Sequence, residues 1–357
     1  MDSAYIAKQR IVNQQLAGTK FKSPGEVVSW MGAMQAQDYA MAKWAVGVRL
    51  LDSTEQSVEQ AINSGEIIRT HVMRPTWHFV SSQDVNWMLK LTAPHLRKSM
   101  IGRHKAMGLT DQLFKKTNSI IEKSLAGKKF LTRPELVSEL SKNKIKPDSL
   151  QMIHIMFNAE VNGTVCNGPM RGKQFTYALL EERVPKAKSL TKNEALEELS
   201  KRYFTSHGPA TAQDFKWWSG LPSAEVKTAM EMVKLNFTNE KVGGQVYWFD
   251  NSCISNPDVK PIYFLPAYDE FMISYKDRSV SLETKFFSSA ITSNGIFKPM
   301  IVVDGKVVGT WSRGIKKDQL IFEPAFFRST NKLKKKEMMA AFASYKKFHI
   351  TEIKLNS

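Results

Sequence analysis

Hydrophobic positions along the chain recur mostly at the spacing of amphipathic helices, and the helices come in clusters, each closed by a short pair of strand-like runs. The first cluster opens with AYIAKQRIVNQQL, where Ile6, Arg10, Ile11 and Gln14 flank a helical stripe. SPGEVVSWMGAMQ follows, with Ser23 as N-cap and Pro24 at the first helical position. SVEQAINSGEIIRTHVMRPTWHFVS reads as a helix stopped at Gly65, then two β-rich runs broken at Arg74-Pro75. The second cluster covers residues 110–183. TDQLFKKTNSIIEKSL is amphipathic, and LTRPELVSELSK sets Thr132 three residues before Glu135, a capping-box pattern. SLQMIHIMFNAEVNG is its third helix, and TVCNGPMRGKQFTYALL holds two strand-like runs around a Gly/Pro/basic turn. The third cluster, residues 191–250, has one strong helix, two short ones and a hairpin through Gly243-Gly244. The recurrence is irregular, so it predicts a domain array and not a fixed-period solenoid.

The remainder differs. IYFLPAYDEFMISYKDR and GIFKPMIVVDGKVVGTWSRG are β-rich, the second a hairpin around Asp304-Gly305, and LKKKEMMAAFASYKKF is a basic amphipathic helix. Three helices and a hairpin is the order of a winged helix, a helix-turn-helix variant. The expected fold is therefore α+β: winged-helix units at 1–95, 96–188 and 189–255, then a mixed β-rich C-terminal segment at 256–357 with its basic helix.

Composition narrows the setting. The 42% hydrophobic and 10% aromatic content over 357 residues is that of a folded chain with two or three domains. Cys166 and Cys253 are the only cysteines, which excludes a disulfide framework and argues against structural zinc. MDSAYIAKQR has no apolar core, so no signal peptide is expected, and no apolar run approaches the roughly 20 residues of a membrane span. A monomer in a reducing cytoplasm, without metal or cofactor, is the expectation.

Charge changes the picture most. Lys and Arg number 51 against 34 Asp and Glu, a net of +17. HLRKSMIGRHK (95–105) has four cations and no anion, and the residues from Ala325 onward carry eight cations and two anions. Such a surplus gathers polyanions, nucleic acid first; a merely basic soluble protein or contact with an anionic membrane surface are the alternatives. In a winged helix the third helix commonly enters the major groove and the hairpin touches backbone or minor groove. Three tandem units could wrap one stretch of duplex.

Several residues are candidates for contact or chemistry. MGAMQAQDYAMAKWAVGVRL sets Gln35 and Gln37 two apart at what reads as a helix end. On a regular helix they cannot share a face. They are either surface glutamines or partners at an irregular stretch of backbone. In HVMRPTWHF, His71 and His78 flank a turn with Arg74 and Thr76, expected to present Arg74 to phosphate or the minor groove. The alternative is a structural wing with Trp77 and Phe79 in the core. Trp217 and Trp218 are expected in the core. In LPAYDEF, Tyr268, Asp269 and Glu270 form a turn or a site edge, with Asp269 the candidate to polarise a water. Lys334 and Lys335 in KLKKK are a solvated face or phosphate contacts.

MQAQDYA (34–40), RPTWHFV (74–80), HGPATAQDFKWWSGL (207–221) and the pair LPAYDEFMISYKDR with NGIFKPMIVVDGKVVGTW carry a resemblance across nearly the whole chain. The chain resembles the tandem winged-helix DNA glycosylases, the AlkZ-like and YcaQ-like group acting on bulky N7-alkylpurines and interstrand crosslinks. The resemblance implies a C-shaped array and a monofunctional enzyme. Its partner would be double-stranded DNA with alkylated or crosslinked bases, in a nucleoid-associated setting. It also implies an active site of glutamine, a hydrophobic residue, then glutamine or aspartate. Gln35, Ala36 and Gln37 match the glutamine version, so the aspartate of the YcaQ-like pattern is missing as a base. The chemistry tolerates that loss. An N7-alkylated purine is cationic and leaves neutral, so no strong acid is needed; two amide oxygens suffice to hold a water against the anomeric carbon. No lysine is singled out for a lyase step. The rival reading is a non-catalytic winged-helix DNA-binding protein or transcriptional regulator.

Overall fold

The structure, a computed structural model, describes residues 1–19, 21–184, 188–250, 262–316, 319–328 and 335–353. The fold is mixed α+β, and the chain divides into two compact units. One gathers Met1–Glu59, Glu197–Trp218 and Ser223–Ser357; the other is Gln60–Leu196 with Ser219–Pro222. The boundaries expected from the sequence are corrected in two ways. Residue 95 lies inside a continuous helix, Val85–Ala106, so no linker falls there. The first two helices of the first expected unit also belong to a different compact body from the hairpin meant to close it, and the third, Glu55–Ser64, spans the division. The boundary at 255 lies outside the described residues.

In the first unit the helix Pro24–Met31 starts as its sequence dictates. Ser23 and Glu26 form a reciprocal capping box with Pro24 in the first turn. Gly32, at φ +76°, ends it and turns the chain into a strand, Ala33–Gln35. A side chain there would be backbone-strained and would press on the Trp218 ring, 3.4 Å from where its Cβ would stand. Further on, Ile262–Leu265, Met300–Val303, Lys306–Lys316 and Gln319–Phe326 form an antiparallel four-stranded sheet. The expected hairpin turns at Asp304-Gly305, both at positive φ, and pairs Val303 with Lys306. Ile11, Leu265, Phe271, Leu282, Met300 and Val302 belong to one core. The helix Lys335–Ile353 is not a free basic face: Tyr345 and Phe348 are buried, their rings 5.0 and 5.1 Å from Trp44.

In the second unit the order is helix Asp111–Leu125, strand Leu131–Thr132, helices Arg133–Lys142 and Ser149–Val161, then strands Val165–Asn167 and Thr176–Leu179. The capping box at Thr132 and Glu135 is present. Phe114, Ile121, Leu136, Leu140, Ile155 and Met156 fill the core. His104 and His154 meet edge to face at 5.2 Å. Burial first, then the charge of His154, lowers the pKa of His104; burial first, then Arg103, lowers that of His154. Both therefore favour the neutral form when folded. The unfolded chain binds their protons more readily, so stability is expected to fall as pH drops below about 6.5. Thermal melts between pH 8 and 5 check this: the fall should shrink in His104→Phe and His154→Phe, and an unchanged slope in both contradicts it.

Candidate active site

Gln35 is the last residue of the strand Ala33–Gln35, not part of a helix end as its sequence suggested. The strand is buried along its length, and Gln35 is only 6% exposed. Its side-chain Oε1 is shielded from solvent and has no hydrogen-bond partner among the described residues. An amide oxygen in that state costs roughly 1–3 kcal/mol unless something else donates to it. Gln37, two residues on, lies in a bend and is exposed. Asp38 then caps the helix Tyr39–Gly47, its Oδ1 accepting from the Met41 N–H at 3.1 Å. Strand end with a buried amide, small residue, exposed amide in a bend and helix start thus follow one another.

A carboxylate stands directly against this strand, and it is not Asp269. Glu270 Oε1 accepts from the Gln35 main-chain N–H at 2.7 Å, and its Oε2 accepts from the Ser274 hydroxyl. Glu270 is 1% exposed. His207 Nε2 lies 3.8 Å from Glu270 Oε2; its ring stacks on Tyr203, and Ser206 Oγ is 2.7 Å from Nδ1. Burial pushes the His207 pKa below its ordinary value, with Glu270 working the other way. Gln14 Nε2 donates to the Glu270 carbonyl at 3.4 Å and to the Tyr275 hydroxyl at 2.9 Å. Tyr268, just before this pair of acids, has a left-handed backbone at φ +57°, uncommon for an aromatic residue. Burial, then Asp38, raises its hydroxyl pKa.

Asp269, the candidate to polarise a water, already has both its oxygens bonded to protein groups. It is 3% exposed, and Arg49 grips both its oxygens at 2.8 Å. Its Oδ1 also accepts from the Phe271 N–H, capping the short helix Glu270–Ile273. That cap makes YDEF a helix start within a segment whose composition is β-rich. The carboxylate is committed to structure. Glu270 belonged to the same quoted stretch, but nothing in one-dimensional spacing distinguishes the two acids; only the approach of residues 33–35 does. In the sequence Gln14 stands out only as flanking a helical stripe and His207 only as the start of a resembling stretch, and Arg49 carries no signal.

The hairpin residues belong to the other unit. Ile67–His71 and Trp77–Ser81 pair with Ile67 opposite Ser81 and His71 opposite Trp77. His71 and His78, which flank the turn expected to present Arg74 to DNA and are themselves candidate DNA contacts, are not at a solvated tip. Both are buried, at 6% and 1% exposure. His71 is held by Glu160, with Nδ1 2.5 Å and its main-chain N–H 3.1 Å from Oε2, and its ring packs on Trp77 and Phe157. His78 Nδ1 lies 2.9 Å from the Thr76 carbonyl. Arg74 and Thr76 are half-buried. Met73, at φ +64°, sits against Gly220, where a Cβ would come within 2.6 Å of the Met73 carbonyl. The turn is therefore packed against Ser219–Pro222. Trp218 is in the core as expected, but Trp217 is 38% exposed, with Lys276 and Arg278 over its ring at 5.0 and 5.2 Å. Lys334 lies outside the described residues, and of Lys335 only the backbone is described.

Among the described residues no group of three or more His, Cys, Asp or Glu could hold a metal ion. No described helix is long and apolar enough to cross a membrane.

The model of the family described as "DNA glycosylase AlkZ-like" matches residues 28–348. A curated protein of Streptomyces sahachiroi, the "Interstrand DNA cross-link repair glycosylase", is 24% identical over 348 residues, covering 91% of this chain and 90% of its own. The solved structure of "Streptomyces sahachiroi DNA glycosylase AlkZ" superposes with a TM-score of 0.83 at 22% identity, over 98% of this chain and 96% of that one.

Proposed function

Because the chain belongs to the AlkZ-like DNA glycosylase family, we propose that it is a monofunctional glycosylase that hydrolyses the N-glycosidic bond of cationic N7-alkylpurines in duplex DNA and unhooks interstrand crosslinks. The observation that carries this reading is the buried Gln35 Oε1, which has no donor among the described residues, in a Gln-Ala-Gln segment beside a buried acid. Such an oxygen is set to accept from a water. The water attacks the anomeric carbon as the base leaves, and the amide dipole favours the positive charge that develops on it. Gln37, exposed two residues on, meets the same water from the DNA side. The base departs neutral, so no general acid is required of the protein, and the proton lost by the attacking water passes to solvent. No Schiff base forms, and the sugar remains on the strand.

The helix–strand–helix–helix–hairpin order of residues 111–179 supports the winged-helix reading of the second unit. The net charge of +17 supports binding through phosphates. The relative's printed name supports crosslinks as a substrate. The test is base release under single-turnover conditions from duplexes carrying N7-methylguanine or a defined crosslink. Release of the free base, leaving an intact abasic strand, is expected. Tight binding to both duplexes with no release would favour the non-catalytic DNA-binding reading.

Binding itself should be salt-sensitive and nearly indifferent to undamaged sequence. With six to ten phosphates neutralised, log K against log salt should have a slope of about −5 to −9. A slope near zero, or strong preference for one undamaged sequence, contradicts phosphate-dominated binding.

A further inference from the structure

We propose that Glu270 is the positioning residue of the active site: its carboxylate fixes the main chain of Gln35, and through it the direction of the Gln35 amide oxygen. The proposal rests on the reading of Gln35 as the group that holds the attacking water. The geometry is specific. Oε1 accepts from the Gln35 N–H at 2.7 Å, Oε2 is held by the Ser274 hydroxyl, and the Glu270 carbonyl is held by Gln14 at 3.4 Å. Glu270 follows Asp269, which Arg49 clamps with two 2.8 Å bonds. The acid that touches the strand is therefore the end of a chain of buried contacts anchored away from it.

A purely structural need does not account for a carboxylate here. Burying a charge costs several kcal/mol, whereas a neutral amide could accept from the Gln35 N–H and donate to the Ser274 hydroxyl oxygen at lower cost, and His207 is 3.8 Å away, beyond hydrogen-bond reach. A charge-assisted bond is shorter and roughly twice as strong as a neutral one. Placed on the residue that carries the reactive amide, it holds that residue against displacement when DNA binds. Displacement of about 1 Å at a reacting group can cost about 10²-fold in rate. The Gln-Ala-Gln motif lacks an acid, and Glu270 supplies one from a distant part of the chain. It acts on the amide's position and makes no proton transfer.

The experiment is a double-mutant cycle on single-turnover excision of N7-methylguanine, using Glu270→Gln, Gln35→Ala and the pair in the full-length chain. Glu270→Gln keeps the shape and is expected to lower the rate roughly 10–100-fold, with duplex affinity and melting temperature close to wild type. In the Gln35→Ala background the same change should cost less than about twofold, because the residue it positions is gone. Ser274→Ala, which frees one oxygen of Glu270, should give a smaller loss in the same direction, and it carries the test if Glu270→Gln does not fold. Wild-type rates in Glu270→Gln and Ser274→Ala, alongside an inactive Gln35→Ala, overturn the positioning role and leave the proposed chemistry standing. Full additivity in the double variant also overturns it, since Glu270 would then act independently of Gln35. A wild-type rate in Gln35→Ala instead overturns the reading of the site itself, and the positioning role with it.

Discussion

Gln35→Ala is expected to lower single-turnover excision of N7-methylguanine roughly 10²–10³-fold, the scale on which removing one preorganised polar group from a reacting centre is felt, while duplex affinity stays nearly unchanged. The reason lies in where the amide is. Its Oε1 is buried and has no donor among the described residues, so on the proposed reading it acts on a reacting water and not on phosphate. Truncation also removes an unpaired polar atom from the interior, so the melting temperature should not fall in proportion to the rate. Gln37→Ala should likewise lose most excision. Gln37→Asp should be milder, because a carboxylate at this exposed position can accept the water's proton. It should also acquire a loss of rate at acid pH in the carboxylate range, which an amide cannot give. Rates measured from pH 5 to 9 for the three variants decide the matter. Excision at the wild-type rate by both alanine variants would make the motif structural.

Asp269→Asn is expected to cost about 3–5 kcal/mol of folding stability, because it leaves the guanidinium of Arg49 buried without its counter-charge. Arg49 is fully buried, and its remaining bonds go to the carbonyls of Gln14 and Ala45 and to the Gln14 side chain. None of these neutralises it. The complementary change, Arg49→Met, should cost a similar amount for the mirrored reason. Denaturant melts measure the loss. Excision per folded molecule should stay within a few-fold of wild type, which separates Asp269 from Gln35. An Asp269→Asn protein as stable as wild type but unable to excise would reverse the assignment and return Asp269 to the chemistry.

These two residues also mark how far the sequence was legible. Local signals were read well where one stretch of chain decides its own structure. The N-cap at Ser23, the capping box at Thr132 and the Asp304-Gly305 turn need only neighbouring residues, and all are present. The helix Val85–Ala106 was misread because its hydrophobic pattern carries Pro94 and a basic run in its interior, both of which look like a boundary. The hairpin Ile67–Ser81 was recognised as a hairpin, but its exposure was not, because its alternating pattern cannot say that both faces are covered. Glu160, 89 residues from His71, is what takes the histidine out of solvent.

The Gln-Ala-Gln segment shows the division most sharply. The sequence by itself determined that two amides stand two apart around a small residue, that no acid lies at the second polar position, and that the chain carries a large positive charge. Those are properties of covalent order and composition. Only the tertiary structure decided that the segment leaves a strand, that Gln35 is buried while Gln37 is exposed, and that Glu270 and not Asp269 meets it, 235 residues away along the chain. Asp269 and Glu270 are chemically near-equivalent neighbours. What separates them is that one faces Arg49 and the other the Gln35 N–H, and a buried charge takes its role from the partner that folding brings within hydrogen-bond reach.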